Sequence, residues 1–324
     1  MPEIMNDPFS YDVIVVGGGP AGLTAGIYLS RARLRTLILN EGTIGGQMIL
    51  THEVANYPGV ELTSGYQLAG IMRKQAADFG CDIRSNVRIS NMDLEGEEKT
   101  VRLENGDVFR SLTIILAPGG KSRTLGIPGE EEFKGKGISY CATCDGDFFS
   151  GKEIVVVGGG NSALEEAVSL TRFASKVTVV HQFDHFQAFS HAVEEARQNP
   201  KIKFRMESVL VKYNGRDKLE SVDIKDLKTG EITNFKTDGV FVFIGYIPNT
   251  SILKGTIKLN SWNEIPVSRE METDIKGVFA AGDSIEKKYR QISTAVGDAT
   301  VAALAASEYT YALKEKRKHE LVSS

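Results

Sequence analysis

The sequence predicts an α/β chain of two three-layer domains, the second inserted into the first, and three observations carry that prediction. A strand, glycine turn, helix, strand plan occurs twice along the chain. The two copies lie roughly 140 residues apart, which suits two domains and not a solenoid, whose period runs ~20–50 residues. The chain's 324 residues also exceed what one ordinary core organises.

The first copy runs from the apolar stretch Asp12–Val16 into Gly17-Gly-Gly19-Pro20-Ala21-Gly22, then an apolar-periodic segment to about Arg33, then Thr36–Leu39. The second runs from Glu153–Val157 into Gly158-Gly-Gly160-Asn-Ser-Ala163, a helical pattern to about Phe173, then Lys176–Val180. Each is a βαβ unit with a parallel strand pair, so both domains are predicted to be Rossmann-like. Asn105-Gly106 and Lys228-Thr-Gly230 sit between alternating apolar and polar runs and predict hairpins. Thr113–Leu116 and Val240–Ile244 are continuous apolar strands ending in Gly/Pro turns, suited to crossings between domains. Gly277–Asp283 predicts a strand running into a glycine and an acid, and Ile292–Tyr311 a helix rich in small residues. The expected division is residues 1–117 with 246–324 as one discontinuous domain, and 118–245 as the insert.

Bulk properties exclude several classes. Net charge is −4, and Lys and Arg are scattered, which gives no basic stripe for nucleic acid. The basic run Lys314–His319 is read as a solvated tail. No apolar run approaches the ~20 residues a membrane helix needs. Met1–Tyr11 lacks the apolar core of a signal peptide, so a cytoplasmic location is expected. Three cysteines exclude a disulfide scaffold.

Gly17-x-Gly19-x-x-Gly22 directly follows a strand and opens a helix, the context that gives this motif meaning. The first glycine permits the tight turn, the second a close approach of pyrophosphate, the third contact of helix with strand; the helix N-terminus adds free N–H groups. About 20 residues later an acid should hold a ribose hydroxyl. Asn40 and Glu41 stand there, and Asn40 offers an amide in place of the carboxylate. The second loop ends in Ala163, a permitted variant, and its next strand leads into His181-Gln-Phe-Asp-His-Phe-Gln187, with neither arginine nor lysine. A 2′-phosphate needs guanidinium or ammonium partners, so the determinant for NADPH is missing. Phe183, Phe186 and Phe189 are read as core or surface-loop packing.

Cys141-Ala-Thr-Cys144-Asp145 is the chemical centre. Two cysteines three apart can close and open a disulfide, whereas a metal site needs four ligands and Cys81 stands alone without a second pair; no metal is expected. Cys81 is read as a small buried hydrophobe. Asp145 is placed either to move the proton that thiol–disulfide exchange requires or to cap a turn.

At these residues the chain resembles the low-molecular-weight thioredoxin reductases, class II pyridine nucleotide-disulfide oxidoreductases, over nearly its whole length. The matching blocks are residues 17–22, Gly45-Gly46-Gln47, Asn56-Tyr-Pro-Gly59, Cys141–Asp145, Gly245-x-x-Pro248-Asn249, residues 277–283 and Arg290-Gln291-Ile292. The resemblance implies FAD in the discontinuous domain, held by Gly17–Gly22, Gly282-Asp283 with the acid on the ribityl chain, Arg290 and Ile292, with Gln47, Asn56 and Gln291 around the isoalloxazine. It implies that the insert is the NAD(P)H-like domain, that Cys144 lies nearer the flavin and forms the charge-transfer thiolate, that Cys141 attacks the thioredoxin disulfide, and that Asp145 is the acid/base. It also implies a homodimer, and a domain rotation that presents the cysteines alternately to flavin and thioredoxin.

Two departures stand out. Ala117-Pro118-Gly119 replaces the usual Ala-Thr-Gly, and His181–Gln187 replaces a His-Arg-Arg-x-x-x-Arg element, all three arginines being gone. That pattern resembles the ferredoxin-dependent flavin thioredoxin reductases. Ferredoxin near −400 mV lies about 130 mV below thioredoxin near −270 mV, so the transfer is downhill by about 6 kcal/mol for two electrons. The alternatives are a thioredoxin reductase driven by NADH or NADPH through an atypical loop, and, from another class, a flavin-binding redox sensor. The cysteine pair counts against a ferredoxin–NADP reductase of this fold, which lacks it.

Overall fold

The computed structural model of the protein describes residues 9–51 and 54–323. It divides into two compact units, Met1–Lys121 with Pro248–Ser324, and Ser122–Ile247. The first leg holds β1 (Ser10–Val16), α1 (Pro20–Arg31), β2 (Thr36–Asn40), α2 (Gly65–Asp78), β3 (Asp82–Ser85), β4 (Ile89–Asp93), β5 (Lys99–Leu103) and β6 (Val108–Leu116). The inserted leg holds β7 (Gly120–Ser122), α3 (Glu130–Phe133), β8 (Ile138–Ser139), α4 (Ala142–Asp145), β9 (Glu153–Val157), α5 (Asn161–Leu170), β10 (Lys176–Val180) and α6 (Ser190–Gln198). It continues with β11 (Ile202–Arg205), β12 (Ser208–Gly215), β13 (Leu219–Asp226), β14 (Ile232–Lys236), β15 (Gly239–Val242) and β16 (Tyr246–Pro248). The chain returns as β17 (Val278–Ala280) and α7 (Ile292–Ser323). β7 and β16, one in each linker, pair with each other.

The sheet of the discontinuous unit runs β3-β2-β1-β6-β5-β4. β1 pairs in parallel with both β2 and β6, and so lies buried on both faces. That is why Val13–Val16 are continuously apolar: Val13 and Val15 face α1, α2 and α7, while Ile14 and Val16 face the opposite core. β6 is long enough for two neighbours on one side. Its first half takes antiparallel β5, and Ile114–Leu116 take parallel β17. Four parallel strand ends, those of β2, β1, β6 and β17, therefore stand side by side, and in such sheets ligands bind beyond the carboxyl ends.

The helix predicted over Ile292–Tyr311 continues to Ser323. Leu313 is buried, Lys314 pairs with Asp12 at 2.8 Å, and Lys316 and Arg317 reach Glu97 at 2.8 and 3.5 Å. The basic run is thus docked helix, not a free tail. Long-range ion pairs and the buried Leu313 accompany the extension.

In the inserted unit the parallel sheet runs β11-β10-β9-β15-β8, with an antiparallel β12-β13-β14 sheet beside it. Alternate residues of β9 again face two cores, Ile154 and Val156 one, Val155 and Val157 the other. β8 is an edge strand, and α4 follows it after one intervening pair of residues. No helix among the described residues is long and apolar enough to cross a membrane.

Candidate active site

The first glycine turn is shaped by contacts that leave no room for a side chain. A Cβ on Gly17, whose φ is +108°, would lie 2.1 Å from the Ala117 carbonyl oxygen, and one on Gly22 would lie 1.8 Å from the Gly17 carbonyl oxygen. Gly19 and Gly46 face each other, a Cβ on Gly46 standing 3.1 Å from the Gly19 Cα. The turn is cross-braced by Asn40. Its Oδ1 accepts from the Gly18 N–H at 2.8 Å, and its Nδ2 donates to the carbonyls of Glu41, Gly42 and Thr43 at 3.2, 2.9 and 3.1 Å. Both amide hydrogens are so committed, and the buried side chain points back into the loop. Asn40 is therefore a brace for the glycine turn. The acid beside it, Glu41, is exposed, its carboxylate 3.5 Å from the Ile89 N–H. A count of residues from the motif could not separate these two roles.

Across the strand ends, Gly282 has φ +78°, and a Cβ there would lie 2.8 Å from the Ala21 side chain, so the two predicted segments abut. Asp283 follows. Its Oδ1 is buried without a hydrogen-bond partner among the described residues, as is Ser284 Oγ. Burial holds the Asp283 carboxyl above the usual carboxylate range, opposed by Lys287 and Arg290 and reinforced by Asp298. Lys287 is paired with Asp298, and the Arg290 guanidinium meets Glu264 and donates from Nε to the Asp283 carbonyl at 3.2 Å. Glu264 was not foreseen, because it lies 26 residues from its partner. Asn56 Nδ2 donates to Gln291 Oε1 at 3.3 Å, uniting two predicted residues from distant blocks. Gln47 stands exposed on a one-turn helix, Gly46–Leu50, and no hydrogen bond among the described residues joins it to that pair. Ile292 opens α7 and packs on the core.

An orphaned buried carboxylate oxygen one residue from Gly282, which abuts Ala21 of the glycine turn, fits a ligand that brings hydroxyls and a pyrophosphate, as FAD does. The same unit buries Cys81 away from this chemistry, against Gly26, with burial pushing its thiol up to about 12.

In the inserted unit Cys141 and Cys144 form a disulfide, Cα to Cα 5.3 Å. Cys141 caps α4, its Sγ accepting from the Cys144 N–H at 3.2 Å. Asp145 ends this helix. Its Oδ2 accepts from the Ser139 hydroxyl at 2.5 Å. Ser139 escaped the sequence reading; its one signal is position, two residues before Cys141.

The second glycine turn has the same backbone and a different surface. A Cβ on Gly159 would fall 2.4 Å from the His181 ring, so the imidazole lies against the loop. His181 is buried, stacks on Phe186 at 5.8 Å, and burial lowers its proton affinity, keeping it neutral. Phe186 packs inward on Phe204, while Phe183 and Phe189 are 38% and 66% exposed. Two cations in this region are engaged elsewhere: Lys228 pairs with Glu207 at 2.5 Å, and Arg205 stacks on Phe235 and donates to Thr233. The residues present do not fit a 2′-phosphate.

The pyridine nucleotide-disulphide oxidoreductase family matches residues 11–299 of the chain. A 34.2 kDa protein of the rubredoxin operon of Clostridium pasteurianum is 44% identical, over 94% of this chain and 99% of that protein. A thioredoxin reductase of Peptoclostridium acidaminophilum is 43% identical, over 93% and 98% respectively. Among solved structures, that of thioredoxin reductase from Streptococcus pyogenes superposes with a TM-score of 0.91 at 39% identity, covering 94% of this chain and 100% of that one.

Proposed function

The chain belongs to the pyridine nucleotide-disulphide oxidoreductase family, and from that premise we propose that it is an FAD-dependent thioredoxin reductase whose electrons come from reduced ferredoxin. The disulfide Cys141–Cys144, with Asp145 beside it on an inserted α/β unit, carries the first part of this reading. The donor is argued from the turn at His181–Gln187, which lacks cations and sets a neutral ring against the glycine loop.

FAD would be held by the Gly17–Gly22 turn and the N-terminus of α1 at its pyrophosphate, by Glu41 at a ribose hydroxyl and by Asp283 at the ribityl chain. Gln47, Asn56 and Gln291 would lie around its ring. When bound, it supplies a carrier that takes electrons singly or in pairs and delivers two to the disulfide. The chain's own residues do the rest. Cys141, as thiolate, attacks one sulfur of the thioredoxin disulfide, forming a mixed disulfide and releasing the other sulfur, which takes a proton. Cys144, as thiolate, then attacks Cys141 Sγ, re-forming Cys141–Cys144 and releasing the second thioredoxin sulfur, which takes another proton. Asp145 accepts a proton from one thiol and returns it to a leaving thiolate. Two electrons and two protons pass to thioredoxin, and two one-electron donations with two protons restore the enzyme dithiol. The same reading includes a homodimer and a cytoplasmic location.

The test of the donor is direct. The yellow protein is mixed anaerobically with reduced ferredoxin, NADPH and NADH in turn, and flavin absorbance is followed by stopped flow. Bleaching by ferredoxin alone, reversed by oxidised thioredoxin, is the expected result. Rapid bleaching by NADPH overturns the donor assignment, and bleaching by NADH alone gives the site to a dinucleotide without the 2′-phosphate.

Asp283 provides a second check. Because its folded-state proton affinity is raised, its charge opposes folding of the apoprotein at neutral pH, and that opposition fades as pH falls through the folded value. Asp283→Asn is expected to raise the Tm of the apoprotein at pH 7 and to weaken FAD about 10-fold, through loss of a charge-assisted hydrogen bond. Thermal melts and FAD titration read both. Unchanged FAD affinity would remove Asp283 from the cofactor site.

A further inference from the structure

We propose that Ser139 is a positioning residue for proton transfer at the cysteine pair, holding the Asp145 carboxylate to the backbone of Cys141. The inference rests on the reading of Asp145 as the acid/base. Ser139 is buried, at the end of β8, and the pairing of Phe241 with Ser139 fixes its backbone to the sheet. Its hydroxyl oxygen accepts from the Cys141 N–H at 3.1 Å, while the hydroxyl proton has two acceptors in reach, Asp145 Oδ2 at 2.5 Å and the Cys141 carbonyl at 3.3 Å. A hydroxyl has one proton to give, and the nearer acceptor, Asp145 Oδ2, takes it.

The consequence is geometric. A carboxylate on a short helix end has two soft torsions, and only part of its range brings an oxygen to a cysteine sulfur. One hydroxyl, itself gripped by the N–H of Cys141, ties that carboxylate to the residue whose sulfur does the attacking. The same hydroxyl satisfies an N–H at the start of α4, the turn that carries both sulfurs. Serine and threonine can do this. Alanine cannot, and its methyl fills most of the same space.

The experiment uses the holoenzyme, reduced under anaerobic conditions and mixed with oxidised thioredoxin in single turnover. The proteins are Ser139→Ala, Ser139→Thr, Asp145→Asn and the double variant Ser139→Ala/Asp145→Asn. Ser139→Ala is expected to lower the saturating rate about 10-fold, the equivalent of one hydrogen bond, with the half-saturating thioredoxin concentration changed less than about 2-fold. Ser139→Thr should restore the rate to within about 3-fold of the parent. The double variant should be no slower than Asp145→Asn, since the hydroxyl then has no acid to position. A parent-like rate in Ser139→Ala, or losses that multiply in the double variant, would overturn the assignment. A parent-like rate in Asp145→Asn would instead overturn the acid/base reading. If Ser139→Ala fails to fold, Ser139→Gly and Ser139→Cys, which also lack the hydroxyl, take its place alone and combined with Asp145→Asn and decide between the same outcomes.

Discussion

Cys144→Ser is expected to abolish thioredoxin reduction, by at least about 10³-fold, while leaving the protein yellow. The two sulfurs have unequal tasks in the proposed cycle, and the variants separate them. With Cys144 replaced, Cys141 can still attack thioredoxin, but nothing resolves the mixed disulfide. A one-to-one covalent adduct should accumulate, visible on a non-reducing gel and released by dithiothreitol. Cys141→Ser loses the same activity and forms no adduct, because the remaining sulfur has the wrong task. The two sulfurs are also placed differently: Cys141 Sγ accepts the Cys144 N–H at 3.2 Å as the cap of α4. An adduct from Cys141→Ser and none from Cys144→Ser would exchange the roles. Full activity in either variant would return the pair to a regulatory contact, the work of a redox sensor.

Much of the fold was legible because its signals are steric and local. The βαβ units, and the hairpins at Asn105-Gly106 and Lys228–Gly230, were read correctly from alternation and turn residues. Their ends drifted, however: α1 stops at Arg31 and α5 at Leu170, short of Arg33 and Phe173, where the chain tightens into turns. What escaped was set by distance. The extension of α7 depends on Asp12 and Glu97, roughly 200 to 300 residues away in sequence, and no local pattern announces either. Asn40 occupies the place where an acid is expected, yet its direction is decided by the Gly18 N–H facing it. Ser139 and Asp145 are joined only when β8 and α4 have folded. Chemistry that resides in a residue type, such as the cysteine pair, is visible before folding. Chemistry that resides in an angle between two side chains is not.

Gly22→Ala should remove FAD almost completely, with affinity falling at least about 100-fold and the apoprotein's Tm dropping with it. The added Cβ would stand 1.8 Å from the Gly17 carbonyl oxygen and 2.9 Å from its carbon, both backbone atoms that cannot swing aside as a side chain would. Gly17 cannot retreat either. It holds a φ of +108°, and its own Cα face lies against the carbonyl of Ala117. Relief must come from moving α1 away from β1, which opens the core that Leu23, Ala25 and Leu29 fill and withdraws the helix N-terminus from the place where a pyrophosphate would sit. A contrasting glycine shows that the effect belongs to the site and not to the residue type. Gly70 lies on the exposed side of α2, and a Cβ there meets nothing within 4 Å. Gly70→Ala should keep FAD and gain roughly 0.5–1 kcal/mol of stability, from the lower entropy of its unfolded chain. Fluorescence titration of both apoproteins with FAD, beside their melts, makes the comparison. If Gly22→Ala binds FAD as tightly as the parent, the pyrophosphate does not sit on this turn and the cofactor must be sought elsewhere on the sheet edge. If both variants lose FAD, the loss comes from general destabilisation, and the steric argument fails.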